Sequence, residues 1–297
     1  ITITSQGYIK YTSLRAYNRQ NRGGKGVSGI ILGEGDFVKD LILANTHSIL
    51  LLFTNLGRVY WAMAYDLPQK KRSAKGRAMV NFLPLREKET VTTVIPVDSL
   101  DSDEFLFMVT KRGMVKKTYL SAYSHPQKGG IIGLNLRDKD ELIKVMLTSG
   151  KQDILLSTKK GKAILFSEMD IHPTGRNSVG VRGIRLKEGD EIIDATTVEE
   201  NHTLFTITSK GSGKRTPLSK YRKTRRGGKG IINIRLLPHK GEVIGVKKVS
   251  EKDEIAVITR KGKSIRLLVR RIPLIGRNTA GSRIIKIKEN DEVIAVA

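Results

Sequence analysis

Short apolar runs recur along this chain at a nearly constant interval. Ile49-Leu50-Leu51-Leu52-Phe53, Phe105-Leu106-Phe107-Met108-Val109, Ile154-Leu155-Leu156 and Ile255-Ala256-Val257-Ile258 each lead into the tetrad Thr-x-x-Gly. The tetrad occurs six times, at Thr4-Gly7, Thr54-Gly57, Thr110-Gly113, Thr158-Gly161, Thr208-Gly211 and Thr259-Gly262, with Gly-to-Gly steps of 50, 56, 48, 50 and 51. Runs this short, rich in β-branched and aromatic residues and closed by Gly, predict buried strands. A type I turn followed by Gly in the left-handed region predicts a hairpin tip at each tetrad. No helical periodicity of useful length competes with this pattern.

Two further marks keep the same phase. A second Gly follows the hairpin Gly by 19 residues in five repeats (Gly26, Gly76, Gly180, Gly230, Gly281), and Gly130 follows by 17 in the third. An apolar-rich tetrad and an acidic turn come next, as in Val181-Arg182-Gly183-Ile184 and Glu188-Gly189-Asp190-Glu191. Each unit predicts strand, hairpin, strand, basic loop, strand, acidic turn, strand, and four strands in about 50 residues is the size of a propeller blade. A β-solenoid, whose coils are shorter, fits less well. We expect one all-β, six-bladed domain over 1–297, with approximate repeats 1–36, 37–90, 91–141, 142–190, 191–242 and 243–292. Residues 293–297 are expected as a closing strand paired with the first blade, which would remove sheet edges.

Composition alters this picture mainly through charge. The 297 residues include 54 Lys+Arg against 29 Asp+Glu, a net charge of +25, which points to an anionic partner, nucleic acid before membrane. The charge follows the repeat. Residues 201–241 hold 11 Lys/Arg and no acid, 255–288 hold 10 and none, and acids gather at 98–104, 138–141, 188–200, 251–254 and 289–292. A basic hairpin-plus-loop half repeated six times is expected to form a belt round the disc, with the acidic turns as solvated connectors. With only 16 aromatic residues, base stacking is a poor main mode, and contact along a curved duplex backbone fits better.

Other chemistries are set aside on their residues. Zero Cys removes disulfides, thiolate catalysis and Cys-based zinc sites. The five His have no H-x-x-x-H spacing, and no metal site is expected. Gly262-Lys263-Ser264 ends like a P-loop, but Val257 stands where that loop needs Gly. Trp61 is followed by Ala62, so the Trp-Asp pair of WD40 blades is missing. No apolar run reaches the ~18 residues that span a bilayer. No signal peptide is visible at Ile1-Thr2-Ile3-Thr4, and a first residue other than Met suggests a piece of a longer chain.

The loops carry the candidate binding chemistry. The first reads Gln20-Asn21-Arg22-Gly23-Gly24-Lys25-Gly26, and the fifth Thr224-Arg225-Arg226-Gly227-Gly228-Lys229-Gly230. Paired Gly lets backbone N–H groups approach a phosphate, and flanking Arg/Lys supply charge and forked donors. Aligned on the closing Gly, the loops place Arg at one position in five repeats: Arg22, Arg72, Arg176, Arg226 and Arg277, with Pro126 in the third. The candidate rim is Arg72, Lys75, Arg77, Lys128, Arg176, Arg182, Arg225, Arg226, Lys229, Arg277 and Arg283.

Gln20–Gly26 is similar to the gyrase-A box, Gln-(Arg/Lys)-Arg-Gly-Gly-(Arg/Lys)-Gly, at every position but the second, where Asn21 stands. With six degenerate repeats, the whole chain resembles the C-terminal domain of the A subunit of DNA gyrase, which is a type IIA topoisomerase. The resemblance implies a six-bladed β-pinwheel, a propeller-like disc of four-stranded antiparallel blades that exchange strands. It implies that the basic rim binds and wraps duplex DNA, with the box role on Gln20, Arg22, Gly23, Gly24, Lys25 and Gly26. The domain is then non-catalytic, holds no cofactor and is monomeric alone. It serves a bacterial cytoplasmic, nucleoid-associated A2B2 enzyme that uses ATP and Mg2+, beside the N-terminal cleavage core and the gyrase B subunit. The alternatives are the similar domain of topoisomerase IV, which often lacks the box, and a protein- or RNA-binding propeller scaffold.

Overall fold

The computed structural model describes residues 1–13, 31–33, 36–71, 74–261 and 263–297. The first repeat forms β1 (Thr2–Thr4), β2 (Tyr8–Lys10), β3 (Ile31–Gly33) and β4 (Asp36–Leu41). The second forms β5 (Ile49–Thr54), β6 (Arg58–Met63), β7 (Arg77–Ala78) and β8 (Val91–Val97). The third forms β9 (Phe105–Thr110), β10 (Met114–Tyr119), β11 (Ile131–Ile132) and β12 (Leu142–Thr148). The fourth forms β13 (Asp153–Thr158), β14 (Lys162–Ser167), β15 (Val181–Arg182) and β16 (Ile192–Thr197). The fifth forms β17 (Thr203–Thr208), β18 (Ser212–Pro217), β19 (Ile231–Ile232) and β20 (Val243–Val249). The sixth forms β21 (Glu254–Thr259), β22 (Ser264–Leu268), β23 (Ser282–Arg283) and β24 (Val293–Val296). All pairing between these strands is antiparallel, and the six sheets are the blades of a β-propeller.

A blade is not one repeat. From the second repeat to the sixth, the short loop strand leaves its own hairpin and pairs with the hairpin before it: β7 on β2, β11 on β6, β15 on β10, β19 on β14 and β23 on β18. The second, third, fourth and fifth blades therefore run β8-β5-β6-β11, β12-β9-β10-β15, β16-β13-β14-β19 and β20-β17-β18-β23. The strand after the acidic turn lies at the other edge and meets its counterparts from neighbouring blades, as β12 does with β8 and β16. One expectation is corrected here. The terminal strand β24 pairs with β21 of its own sixth blade, not with the first blade. It is the sixth copy of the post-turn strand, and in every repeat that strand returns to its own hairpin. Among the described residues the sixth blade has three strands, and the first sheet has a fifth, β3, hairpinned to β4.

Blades stacked face to face explain why the strands read as continuous apolar runs. Along β5, Leu50 and Leu52 face the core shared with the first blade, while Leu51 and Phe53 face the core shared with the third. Along β9, Leu106 and Met108 face one neighbour, Phe107 and Val109 the other. Strands covered on both faces have no polar side to alternate with.

The hairpin tips are built as their spacing predicts. Gly57 N–H donates to Thr54 O at 3.0 Å with φ of +73°, and Gly7, Gly113, Gly161 and Gly211 repeat the bond. The Thr hydroxyl adds a second brace, accepting the N–H four residues on, as Thr110 Oγ1 does from Met114 at 3.1 Å. In five of the blades the tip is then clamped from the acidic turn. Asp140 accepts from Thr110 Oγ1 at 2.7 Å and from Arg112 N–H at 2.9 Å. Asp36, Glu89, Asp190 and Asp291 reach the tips of the first, second, fourth and sixth blades likewise. Asp36, Glu89, Asp140 and Asp291 are buried, so the acidic turns are not simply solvated connectors, as the charge pattern suggested. Their remaining carboxylates are outward, and join Lys111 to Glu141 and Glu191, and Lys159 to Glu191 and Glu242, across three successive blades.

The hairpin Gly also carries the strand exchange. Gly57 O accepts N–H groups from Gly133 and Leu134 of the next repeat at 2.9 and 3.0 Å. A Cβ on Gly57 would lie 2.5 Å from Leu134 O, besides demanding the left-handed region. Gly57→Ala should therefore cost about 2 kcal/mol or more in urea unfolding, from strain plus the clash. Gly175→Ala, with no atom within 4 Å of its Cβ position, should stay within about 0.5 kcal/mol of the parent. Equal losses at both sites would sink this assignment.

Candidate nucleic-acid interface

The exchanged strands lie at one edge of their blades, and the basic loops lead directly into them. The described candidate residues lie on these loops and strands. Lys75, Arg77, Lys128, Arg182, Arg225, Lys229 and Arg283 are exposed there, while Arg176, Arg226 and Arg277 are half-buried. The box residues Gln20, Arg22, Gly23, Gly24, Lys25 and Gly26 lie outside the described residues, as does Arg72.

Several of the cations have structural partners. Lys75 Nζ sits 4.1 Å from the Tyr8 ring centroid, and the Arg77 guanidinium 5.5 Å from that of Phe82. Arg226 and Arg277 do one job in successive repeats. Arg226 donates to Asp170 O and Arg182 O, both at 3.2 Å. Arg277 donates to Lys220 O at 2.6 Å and Ile232 O at 2.7 Å. Each guanidinium thus ties its loop to the exchanged strand and the short 3-10 turn of the repeat before it. Basic residues at the hairpin tips behave differently, because Lys111, Lys159 and Arg260 pair with Glu side chains. Exposed pairs of this kind contribute about 0–1 kcal/mol, but they offset the positive charge at the tips and leave it concentrated on the loops.

Sequence reasoning missed a set of buried cations beneath these loops. Lys10 and Lys116 are 1 % exposed and Lys214 is 0 % exposed. Lys10 Nζ donates to Lys71 O at 3.0 Å and Ala74 O at 2.6 Å. Lys116 Nζ donates to Gly133 O at 2.9 Å and to Arg176 O. Lys214 Nζ donates to Gly276 O and Arg277 O, both at 2.6 Å. One position further on, Lys117 Nζ reaches Glu168 O at 3.0 Å and Arg215 Nε reaches Ile272 O at 3.0 Å. A sequence signal existed. Lys stands three residues after the hairpin Gly in the first, third and fifth repeats, where the second, fourth and sixth have Tyr60, Ile164 and Ile265. Tyr17, Tyr123 and Tyr221 stand ten after it in the same odd repeats. Tyr123 Oη donates to Gly133 O at 3.1 Å, the carbonyl that Lys116 also uses.

Burial has an electrostatic consequence. Desolvation, with the nearby Arg176 charge second, pulls Lys116 down to about 7. Desolvation and then Arg277 pull Lys214 down to about 8. Desolvation raises the phenols of Tyr123 and Tyr221. Among the described residues no group of three or more His, Asp or Glu is placed to hold a metal ion, and no helix is long and apolar enough to cross a membrane.

A strand-exchanging six-bladed propeller with basic loops mounted at its exchanged edges defines a distinct class. The family model described as "DNA gyrase C-terminal domain, beta-propeller" matches six segments, 1–45, 48–98, 104–149, 152–199, 202–250 and 253–297. The chain belongs to that family. It is 38 % identical over 324 residues to the DNA gyrase A protein of Haemophilus influenzae, covering 100 % of this chain and 37 % of that one. It thus spans about a third of the length of the curated relatives it matches. A solved structure of the C-terminal domain of DNA topoisomerase IV superimposes with a TM-score of 0.85 at 29 % identity, covering 100 % of this chain and 91 % of that one. A DNA gyrase A C-terminal domain superimposes at 0.77 and 28 %, covering 99 % and 97 %. Fold alone does not separate these two relatives. The curated gyrase A sequences, at 38–40 % identity across the whole chain, favour gyrase.

The lysine shifts predict a pH dependence of stability. Above pH 7 folded Lys116 sheds its proton while the unfolded side chain keeps it up to its ordinary value near 10.5. The unfolded state then binds more protons, so stability rises with pH across that window. Thermal unfolding followed from about pH 7 to about pH 9 should show a rising midpoint, and Lys116→Met should flatten the rise. A midpoint that falls in parent and variant alike would contradict the assignment.

Proposed function

We propose that this chain binds and bends duplex DNA along its basic loops, wrapping a segment and presenting it to a gyrase core. There, ATP-driven strand passage introduces negative supercoils. The carrying observation is geometric: the loops of the second to sixth repeats are delivered by strand exchange to the same edge of successive blades, and basic residues recur on them. Phosphate contacts at such positions hold a duplex without reading its sequence. Smoothly bending 20–30 bp by 40–90° costs on the order of 1–6 kcal/mol, which contacts distributed over several blades can offset.

The domain itself supplies no bond-making chemistry. Cleavage and ATP use belong to the N-terminal core of the longer gyrase A chain and to its gyrase B partner, in a bacterial cytoplasmic A2B2 enzyme using Mg2+. The box, Gln20 to Gly26, lies in the first repeat's sequence and acts as a clasp for the far end of the wrapped segment. Arg72 joins the rim with Lys75, Arg77, Lys128, Arg176, Arg182, Arg225, Arg226, Lys229, Arg277 and Arg283.

Two measurements test this. The chain is mixed with relaxed circular DNA and a nicking-closing enzyme, and linking number is read; a change is expected, and none at stoichiometric protein would reject wrapping. The affinity for linear duplex should also fall steeply with salt, by about 0.9 in log K per neutralised phosphate per tenfold salt. For the clasp, Arg22→Ala with Lys25→Ala should reduce the linking change more than affinity for short duplex. Equal reductions, or none, would remove the clasp.

A further inference from the structure

Among the described residues the loops of the second to sixth repeats are mounted in two ways, and the two alternate from repeat to repeat. The loops of the second, fourth and sixth repeats rest on a buried amine from the blade before: Lys10 under Lys71 and Ala74, Lys116 under Arg176, Lys214 under Gly276 and Arg277. The loops of the third and fifth repeats rest on other groups. Arg58 donates to Gly129 O at 2.6 Å and Gly130 O at 2.9 Å, and Gly228 packs over Ile164. The lysine-mounted loops turn backbone carbonyls inward to the amine and carry the recurring Arg in the same short stretch.

Two of these amines, Lys116 and Lys214, are buried cations with a second cation acting on them. The Arg176 charge on the loop acts on Lys116, whose acceptor Gly133 O also takes the Tyr123 hydroxyl, and the Arg277 charge acts on Lys214. Among the described residues no carboxylate contributes to the charge acting on either amine. Carbonyl dipoles hold each amine in place, but they do not supply a full counter-charge. A buried charge without an opposite partner is destabilised, and it releases its proton more readily than an exposed lysine.

A phosphodiester arriving at the outer side of such a loop would provide the missing negative charge. We propose that Lys116 and Lys214 are positioning residues whose protonation is coupled to duplex DNA binding, so that DNA seated on these alternate loops is taken up together with protons. Lys10 mounts the second repeat's loop in the same manner. The inference rests on the DNA-binding function proposed above, and adds that grip is divided between proton-coupled and proton-independent loops in alternation. Near neutral pH the two amines are partly deprotonated in free protein, since burial holds them near 7 and 8. Linkage then requires affinity to fall as pH rises through that range, by up to about tenfold per pH unit for each proton taken up.

The experiment measures binding of a linear duplex, at fixed salt, from about pH 6 to about pH 9 for parent, Lys116→Met/Lys214→Met and Lys116→Arg/Lys214→Arg. Calorimetry of the parent in two buffers of different ionisation enthalpy reads proton uptake directly. We expect net uptake by the parent near pH 7.5, a parent affinity that falls with pH, and a flatter profile in both variants. The Arg variant should keep the higher affinity at high pH, because guanidinium does not titrate there. A purely structural role would lower affinity by the same factor at every pH. Zero proton uptake by the parent while it binds DNA, or identical pH profiles in parent and Met variant, would overturn the coupling. Should neither variant fold, the parent's proton uptake decides alone. A parent that binds no duplex at any pH would instead reject the DNA function itself.

Discussion

The structure depends on one exchange of hydrogen bonds. The carbonyl of each described hairpin Gly from the second blade to the fifth accepts two N–H groups from the repeat that follows it. In the first blade Gly7 O accepts one, from Met79. That contact requires a residue that turns with positive φ and lets a foreign backbone approach where a Cβ would stand. Once made, it delivers the next repeat's loop strand to the outer edge of the blade, and with it the basic loop. Blade order, loop position and the shared cores between blades all follow. A repeat that kept its own loop strand would stack as an independent sheet, with its loop facing no defined partner.

Around this exchange the polar residues are divided by function rather than by charge alone. One carboxylate per acidic turn clamps a hairpin tip in five blades, and further Glu side chains neutralise Lys111, Lys159 and Arg260. The fifth repeat, with Lys240-Gly241-Glu242 at its turn, lacks that inward acid, and Glu242 pairs outward with Lys159. The net positive charge is therefore left mainly to the loops. There the guanidinium groups of Arg226 and Arg277 donate to neighbouring carbonyls, so the loops are held in shape by the same residue types that suit phosphate. Rigid placement of cations limits what must be ordered when an anionic partner binds.

Much of this was legible in the residues. The Thr-x-x-Gly spacing fixes a local turn, and local turns are written in a few adjacent side chains. Continuous runs such as Leu50 to Phe53 announce strands covered on both faces. The loop Arg residues and the similarity of Gln20–Gly26 to a known box pointed to the family before any contact was known. Two expectations needed revision for one reason, that both concerned partners distant in sequence. β24 returns to β21 rather than to the first blade, and Asp140 turns inward to Thr110 rather than out to solvent. Nothing adjacent to Asp140 distinguishes it from Asp138, which is exposed.

By itself, then, the sequence determined the repeat, the strands, the hairpin tips and the phase of the charge, because each rests on interactions within about ten residues. Only the tertiary structure decided which repeat completes which blade, which acid is buried and which lysine is a mount. Met114-Val115-Lys116-Lys117-Thr118 spells an ordinary half-basic strand, yet Lys116 and Lys117 are both buried. Their acceptors, Arg176 O and Glu168 O, lie 60 and 51 residues away, so only the folded disc brings amine and carbonyl together.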